Sequence, residues 1–508
     1  MMRISAFVLC LLIFPGFVSA QHHEGESNGT RAATAVDLGT IEFPTSGPAE
    51  AQKHFIEGVL LLHSFEYPRA RRAFQEASRI APDFAMAYWG EAMTYDHRIW
   101  GAQDRTSGLA ALAKLAPTPA ERRAKAPTPR EKMYFDAVEK LFEDGDEIQV
   151  ATAYSNAMGE LIKRFPDDLE AQAFYSLSIL GLTGTLRNTE NYTRAAAVAE
   201  AVYKKNPKHP GALHYLIHSY DDPAHAAKGV TAARAYGTVA RSASHAQHMP
   251  SHIFFALGMW EDSITANTAS MKTAREEGTG GYHPLYWLIH AYLQLGRTDE
   301  AAKLITTIEA DMKVKPSANA TRHLAMARAT YLVETRGGGP ESMMQPVETG
   351  AASWLGVFAG HDLAAGLEYV RRKDIPGATR MLESIRSRTA TMKAARAAGS
   401  GAGRYASVPQ TEIDTVAVME SILLAAIEFA SGDKNRGITD MLAAARTEDK
   451  LVFEYGPPAI PKPAWEAAGE LLLAAGRKKE AANAFRNALK RYPNRKLSNE
   501  GLKAAGSR

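Results

Sequence analysis

The sequence contains almost no cysteine. Of its 508 residues only Cys10 is a cysteine, and it lies in an apolar stretch close to the N-terminus. Disulfide bonds within the chain and metal sites built from several thiolates are therefore excluded. If the N-terminal segment is removed, as we predict below, the mature chain has no thiol at all. Any metal ion that it binds must then be held by histidine, aspartate or glutamate.

Long apolar runs are absent after residue 20. Residues 1–20 (MMRISAFVLCLLIFPGFVSA) place Arg3 ahead of an apolar core that ends in the small residues Val-Ser-Ala. This order is typical of a secretory signal peptide, and it predicts cleavage before Gln21 and a periplasmic or secreted protein. A membrane anchor is the alternative, but the apolar core is short for a bilayer span. We expect no membrane span after cleavage.

An excess of charge of one sign is also missing. The formal net charge is +3 at pH 7, and the two signs are interspersed along the chain. Without a basic stripe, we expect no nucleic-acid partner. The sequence also lacks a Gly-x-Ser-x-Gly elbow, a Walker loop and a His-Glu-x-x-His helix. Because these enzyme motifs are absent, an enzyme would have to be of the metal-centred kind.

What the chain does contain is a helical repeat. Residues 465–493 read WEAAGELLLAAGRKKEAANAFRNALKRYP. Small residues Gly469 and Ala481 stand where two helices approach closely, Phe485 fills the space between them, and Pro493 ends the second helix. This is the pattern of a tetratricopeptide repeat (TPR) of about 34 residues. The same spacing recurs near the N-terminus in Gly58, Ala70, Phe74, Ala77 and Pro82. The sequence therefore predicts an all-α protein, an α-solenoid of TPR-like helical hairpins.

The domain organisation follows from these repeats. We expect a signal peptide at 1–20 and a mobile leader at 21–49, since the leader is polar and lacks periodicity. An N-terminal solenoid is predicted at 50–336, with an inserted loop at 101–130 where APTP motifs interrupt the pattern. The remainder, 337–508, is predicted as a C-terminal helical region that ends in a full TPR at 462–495. Within it, 337–350 and 397–410 are predicted to be loops.

Histidines are concentrated in one part of the chain. Nine of the sixteen lie between His209 and His290. Seven of these occupy positions 2, 5 or 9 of the first helix in three consecutive repeats: His214, His218, His245, His248, His252, His283 and His290. These positions share one helical face, which in a solenoid lines the concave surface. Pro250 starts or kinks the middle helix, which places His245 and His248 less firmly than His252.

This face has three interpretations. Imidazoles from several helices can bind a transition metal such as Zn, Cu or Fe, and Asp221 and Asp222 could then act as base or orient a ligand. The groove could instead be pH-sensitive. Without a metal, it could receive a peptide, a protein segment or a small molecule, with Tyr286, Trp287 and Trp260 as further contacts. A metal-dependent enzyme acting on a small molecule is the alternative to a scaffold with a metal site.

Two runs carry a resemblance to a known group. HYLIHSYDDP and SHAQHMPSHIFFALGMWEDS, together with the terminal repeat and its trailing PNRKLSNEGL, resemble exported bacterial TPR proteins of poorly defined activity. The likeness extends over most of residues 50–505. It implies the usual role of the TPR superfamily, which is to hold peptides or partner proteins, and this implication is only associational. The prediction is therefore an exported TPR scaffold whose groove carries a histidine-rich metal site.

Overall fold

The computed structural model describes residues 35–506, apart from 101, 184–186, 348–353, 399–407 and 454. The predicted signal peptide, residues 21–34 of the leader and most of the predicted loop at 397–410 lie outside the described residues. In the part described, the chain is built almost wholly from α-helices, and consecutive helices pack against one another as hairpins. The predicted all-α fold of TPR-like hairpins is confirmed.

The first half of the chain forms the N-terminal repeats and most of the helices that carry the histidine cluster. Its helices are α1 Ala49–His63, α2 Tyr67–Ile80, α3 Ala85–Met93, α4 Arg105–Ala113, α5 Pro119–Lys125, α6 Pro129–Leu141, α7 Glu147–Arg164, α8 Leu169–Leu180, α9 Thr189–Lys205, α10 Pro210–Tyr220, α11 Ala226–Val239, α12 Ser244–His248, α13 Pro250–Ala256 and α14 Trp260–Glu276. Two short strands, β1 Asp96–His97 and β2 Ala102–Gln103, pair antiparallel between α3 and α4.

The second half continues in the same manner. Its helices are α15 Tyr282–Gln294, α16 Thr298–Val314, α17 Ala318–Glu334, α18 Leu355–Arg371, α19 Ile375–Ala398, α20 Gln410–Ala430, α21 Lys434–Glu448, α22 Ala464–Ala474, α23 Lys478–Arg491 and α24 Lys496–Ala504. Short 3₁₀ turns occur at Ala35–Leu38, Arg98–Trp100, Gly181–Thr183 and Glu341–Met344. None of the described helices is long and apolar enough to cross a bilayer.

Two expectations about irregular segments are wrong. The segment 101–130 is not an inserted loop, because it contains α4 and α5 and the start of α6. Both APTP motifs begin helices: Thr118 and Thr128 each form a capping box, and the following proline occupies the first turn, where no N–H is needed. The sequence pattern suggests that these prolines interrupt helices, but each of them stands at the first position of a helix.

The second wrong expectation concerns the leader, which was predicted to be mobile. From Leu38 onward it packs against the rest of the protein. Leu38 and Phe43 are buried. The Phe43 ring lies 5.1 Å from the ring of Phe55 and 5.0 Å from that of Tyr134, and its carbonyl accepts a hydrogen bond of 2.7 Å from Gln52 Nε2. Two large apolar side chains therefore fix this extended segment to the N-terminal core. Because the segment has so few of them, it shows no hydrophobic periodicity from which its packing could be predicted.

An aromatic ring held between two glycines joins the helices of each terminal repeat. In the N-terminal repeat, a Cβ at Gly58 or Gly90 would lie within 2.6 Å of the Phe74 ring. In the C-terminal repeat, a Cβ at Gly469 or Gly501 would lie within 2.6 Å of the Phe485 ring. Both rings are fully buried. The glycines are thus required for close approach, as the repeat pattern predicts.

The C-terminal repeat packs back onto the middle of the chain. Asn494 donates from Nδ2 to Gly258 O at 2.9 Å, and its own carbonyl accepts from Trp260 Nε1 at 3.2 Å. The backbone N–H of Lys496 donates to Gln294 Oε1 at 2.9 Å. These contacts place α24 and the loop before it against α13–α15, the helices that carry most of the predicted site.

We predict that Phe485→Ala lowers the free energy of unfolding by about 3–5 kcal/mol, because a fully buried ring between two glycine surfaces leaves a cavity that those surfaces cannot fill. Ile148→Ala, at a side chain that is 60% exposed, is the control and should cost under about 0.5 kcal/mol. Chemical denaturation followed by circular dichroism measures both. Equal midpoints for the two variants would contradict the packing role of Phe485.

Candidate metal centre

The histidines reach one place because α10, α12, α13 and α15 pack around it. Pro250 has no N–H, so the helix that starts at Ser244 is interrupted after His248, and α13 begins with the proline in its first turn. The interruption is small, and the His248 and His252 rings remain 5.0 Å apart. The doubt over His245 and His248 is removed, since both join the cluster.

Three side chains form a first triad: His214, His218 and His245. The Nε2 atom of His214 lies 3.1 Å from Nε2 of His218 and 3.2 Å from Nε2 of His245. One nitrogen from each ring lies within 4.8 Å of the others. His214 and His218 are one helical turn apart on α10, and the third ring comes from α12. His214 and His218 are buried, and His245 is partly exposed.

A second triad consists of His248, His252 and His283. The Nε2 atoms of His248 and His283 are 3.0 Å apart, and one nitrogen from each of the three rings again falls within 4.8 Å of the others. All three side chains are buried. They come from α12, α13 and α15, so three separate helices must keep their relative positions to maintain this triad.

Acceptors on the far side fix the orientation of three of these rings. His214 Nδ1 lies 2.7 Å from the carbonyl oxygen of His63, and His248 Nδ1 lies 2.7 Å from Asn267 Oδ1. The Asn267 amide donates to Ser263 O, which turns its oxygen toward His248. Because an oxygen of this kind only accepts, each Nδ1 carries the proton and each Nε2 directs its lone pair into the triad.

A carboxylate plays the same part for His252. Its Nδ1 lies 2.5 Å from Asp221 Oδ2, and both side chains are buried. Asp222, the other acidic residue singled out from the sequence, lies elsewhere: it pairs with Arg187 and His225 and accepts from the backbone N–H of Ala224. Asp221 is therefore placed to orient a ring, and Asp222 holds the turn after α10.

Burial keeps two of the imidazoles, those of His214 and His248, in their neutral form. It lowers the pKa of His214 to about 3, opposed in part by the hydrogen bond to the His63 carbonyl. Burial likewise places the pKa of His248 well below its ordinary value, and the neighbouring His252 lowers it further. At neutral pH these rings carry no charge. A neutral imidazole is the form that ligates metal ions.

The open groove predicted from the sequence is wrong. Tyr286, Trp287 and Trp260 are buried, as are all of the predicted histidines except His245. Aromatic side chains pack directly on the triads: the Phe65 ring lies 4.3 Å from that of His214, and the Trp287 ring lies 4.5 Å from that of His252. The cluster is thus an enclosed core site: Phe65 covers the first triad, and the loop before α22 lies over Trp287 beside the second.

His290 does not join the other six. Its ring packs near Phe255 and Trp260, at 5.4 and 5.9 Å between centres, and its buried Nδ1 has no hydrogen-bond partner. It lines a small pocket, with Asp221 and Arg495 among the other lining residues. Position 9 of α15 points toward the C-terminal repeat, so the expectation that His290 meets His214 and His218 is wrong.

A third cluster was missed: His63, Glu170 and His209, all fully buried. Glu170 lies 2.8 Å from His63 Nε2 and 3.0 Å from His209 Nε2. His63 Nδ1 is 2.8 Å from the hydroxyl of Tyr215. The three residues come from α1, from α8 and from the residue before α10, so no local spacing reveals them. Since the carbonyl of His63 accepts from His214, this cluster also supports the first triad.

Comparison with known proteins identifies one repeat near the C-terminus. Residues 464–495 match the family model described as tetratricopeptide repeat. The chain contains a tetratricopeptide repeat. This agrees with the repeat predicted at 462–495 and with helices α22 and α23. No curated protein sequence matches the chain.

Solved tetratricopeptide-repeat structures also show similarity. The TPR domain of P58(IPK) is 13% identical, over 90% of this chain and 98% of that one, with a TM-score of 0.24. Yeast Tom70 is 11% identical, over 90% and 95%, with a TM-score of 0.32. A human IFIT1 dimer with m7Gppp-AAAA is 11% identical, over 88% and 91%, with a TM-score of 0.31. Likeness at this level says nothing about function.

We predict that Glu170→Gln destabilises the protein by about 3 kcal/mol at neutral pH. Burial alone would raise the pKa of Glu170, but the charges and hydrogen bonds of His209 and His63 lower it from 4.5 to about 2, and each unit corresponds to about 1.4 kcal/mol. A depressed pKa adds stability above pH 4.5 that is lost as the pH falls through 2. The difference between wild type and variant should shrink over that window.

The matched control is Glu143→Gln, a half-exposed carboxylate paired with Lys140, which should change stability by under about 0.5 kcal/mol. Denaturation at a series of pH values gives both differences. A Glu170→Gln effect that is independent of pH would show that the charge of Glu170 does not stabilise the fold.

Proposed function

We propose that this protein is an exported tetratricopeptide-repeat metalloprotein that binds one transition-metal ion in each histidine triad. His214, His218 and His245 ligate the first ion, and His248, His252 and His283 ligate the second. The helices of the scaffold hold the imidazoles in place, and the function of the buried imidazoles is to ligate the ions. Export rests on the signal-like residues 1–20.

One observation carries the proposal: the position of His214 Nε2. The proton of His214 lies on Nδ1, so Nε2 offers a single lone pair, yet it lies 3.1 and 3.2 Å from two other ring nitrogens. One lone pair cannot accept two good hydrogen bonds. Nitrogens that ligate one tetrahedral ion at about 2.0–2.1 Å are about 3.3 Å apart. A single ion bound by all three nitrogens accounts for this spacing.

The surroundings of the triads agree with this. Ligating histidines nearly always donate their second ring nitrogen to a carbonyl or carboxylate, which fixes the tautomer. His214, His248 and His252 do so, to a carbonyl, an amide oxygen and the carboxylate of Asp221.

Metal-dependent catalysis on a small molecule is the second candidate. Each triad provides three protein ligands. Structural zinc sites commonly have four, whereas catalytic sites keep one position open for water or substrate. In this reading Asp221 positions His252 and does not act as the base, since its carboxylate is already bonded to the ring.

A metal-free binding scaffold would have to use other parts of the surface. The histidines and the three aromatic residues that were expected to contact a peptide are buried, His245 excepted. Partner proteins remain within the proposal, bound to exposed surface of the repeats outside the buried cluster.

We predict that the purified protein takes up two equivalents of transition metal, and that His218→Ala or His248→Ala each removes one. The first change breaks the triad of α10 and α12, and the second breaks the triad of α12, α13 and α15. Elemental analysis of dialysed protein measures the content. The control is His54→Ala, at a partly exposed histidine on α1, which should keep both equivalents.

The wild-type protein should also melt at a lower temperature with a chelator present, because an ion that binds only the folded state stabilises it by linkage. Metal-free protein whose melting does not respond to Zn, Cu or Fe salts would refute the proposal. Circular dichroism of each variant checks that the variant is still folded, so that a loss of bound metal cannot be attributed to unfolding.

We further predict that Asp221→Asn weakens binding in the second triad about tenfold, because an amide oxygen makes the ring of His252 a poorer ligand than a carboxylate does. Binding in the first triad should not change. Asp222→Asn is the matched control, since Asp222 contacts Arg187 and His225 and no triad residue. Competition against a metal indicator measures both affinities; equal weakening of the two sites would contradict the role given to Asp221.

A further inference from the structure

We infer that the two triads form one dinuclear copper centre in which a single small oxygen ligand bridges both ions. The inference rests on the proposed function. It adds that the sites are not independent, and it names both the metal and the class of ligand that the centre takes.

The first argument is distance. His245 and His248 stand one turn apart on α12, and each belongs to a different triad; their ring centres are 6.5 Å apart. Across the same boundary, the rings of His218 and His252 are 6.2 Å apart. An ion lies about 3 Å from the centre of a ring that ligates it. Ring pairs this close bring two ions within reach of one bridging atom, as in two-metal sites with ions about 3.5–4 Å apart.

Charge gives the second argument. All six ligands are imidazoles, which bring no negative charge, and burial keeps those of His214 and His248 neutral. The carboxylate of Asp221 contacts His252 of the second triad, and that of Glu66 accepts from the backbone N–H of His245 in the first. Two divalent ions would bring four positive charges into a buried site, which is costly unless anions accompany them. A monovalent metal state or a negatively charged bridge lowers this cost.

Copper suits a site of this kind, because it binds imidazole tightly and can carry a low charge. Imidazole suits zinc, copper, iron and nickel, and copper binds most tightly among the divalent ions of this series. Copper also has a stable monovalent state, in which three neutral nitrogens and one nearby carboxylate leave little net charge. Since the chain beyond Cys10 has no thiol, thiolate ligands do not compete for it.

The bridging ligand must be small. Phe65 packs on the ring of His214, and Trp287 packs on the rings of both His248 and His252. With the rings nearly enclosed, hydroxide or dioxygen fits the centre better than an organic substrate. In the divalent state the bridge forms when a water binds both ions and releases one proton to solvent, so that hydroxide offsets one positive charge.

The test uses the full-length protein loaded with Cu(II), with copper content and electron paramagnetic resonance measured on the same sample. A bridging oxygen pairs the unpaired electrons of the two ions. We expect two copper ions per chain, with an integrated signal far below that content, and copper–copper scattering at about 3.5–4 Å in X-ray absorption.

Single-triad variants serve as the internal standard. His218→Gln and His248→Gln, with His218→Ala and His248→Ala as second versions, should each hold one copper whose signal equals the copper content. His54→Ala should behave as wild type. Monovalent copper also gives no paramagnetic resonance signal, so the wild-type sample is also treated with an oxidant. Oxidation restores the signal of monovalent copper but not that of a coupled pair.

The outcomes are distinct. Two bound coppers with a full signal and no copper–copper scattering would overturn the dinuclear centre and leave the proposed function standing. Two zinc ions retained against excess copper would overturn the assignment of copper. If no transition metal binds at all, the proposed function itself fails.

Discussion

The site depends on one constraint: imidazoles that share a buried space must be held from behind by hydrogen-bond acceptors. A carbonyl, an amide oxygen and a carboxylate meet this need for His214, His248 and His252. The acceptors belong to α1, α14 and the end of α10, so the positions of these helices are fixed together with the rings. Changing the packing of one repeat therefore changes the donor geometry of the next.

Local periodicity explains how much of this could be predicted. Positions 2, 5 and 9 of one helix share a face whatever the remainder of the chain does, so the sequence identified all six residues that form the two triads. The glycine and aromatic positions of the repeat were equally predictable, because each helix pair packs through residues close in sequence. Pro250 interrupts its helix without moving His252 away from His248.

Long-range packing explains the remainder. His63 and Glu170 are separated by 107 residues, and nothing in the sequence of either segment indicates the other. The prediction of an open groove is wrong for the same reason: Asn494, near the far end of the chain, forms hydrogen bonds with Gly258 and Trp260. His290 has the right position in its repeat, but it faces this packed-back segment and not the neighbouring helices.

The enclosure of the triads is uneven, and this decides where chemistry could reach them. Helices surround them on most sides, but the cover over Trp287 is the loop before α22, where Gly456 has φ +84° and a Cβ would lie 2.1 Å from the indole. Only glycine permits so close a cover. Beside it, Asp221 both lines the small pocket near His290 and bonds to His252. A charge entering that pocket therefore acts on the second triad through one carboxylate, that of Asp221.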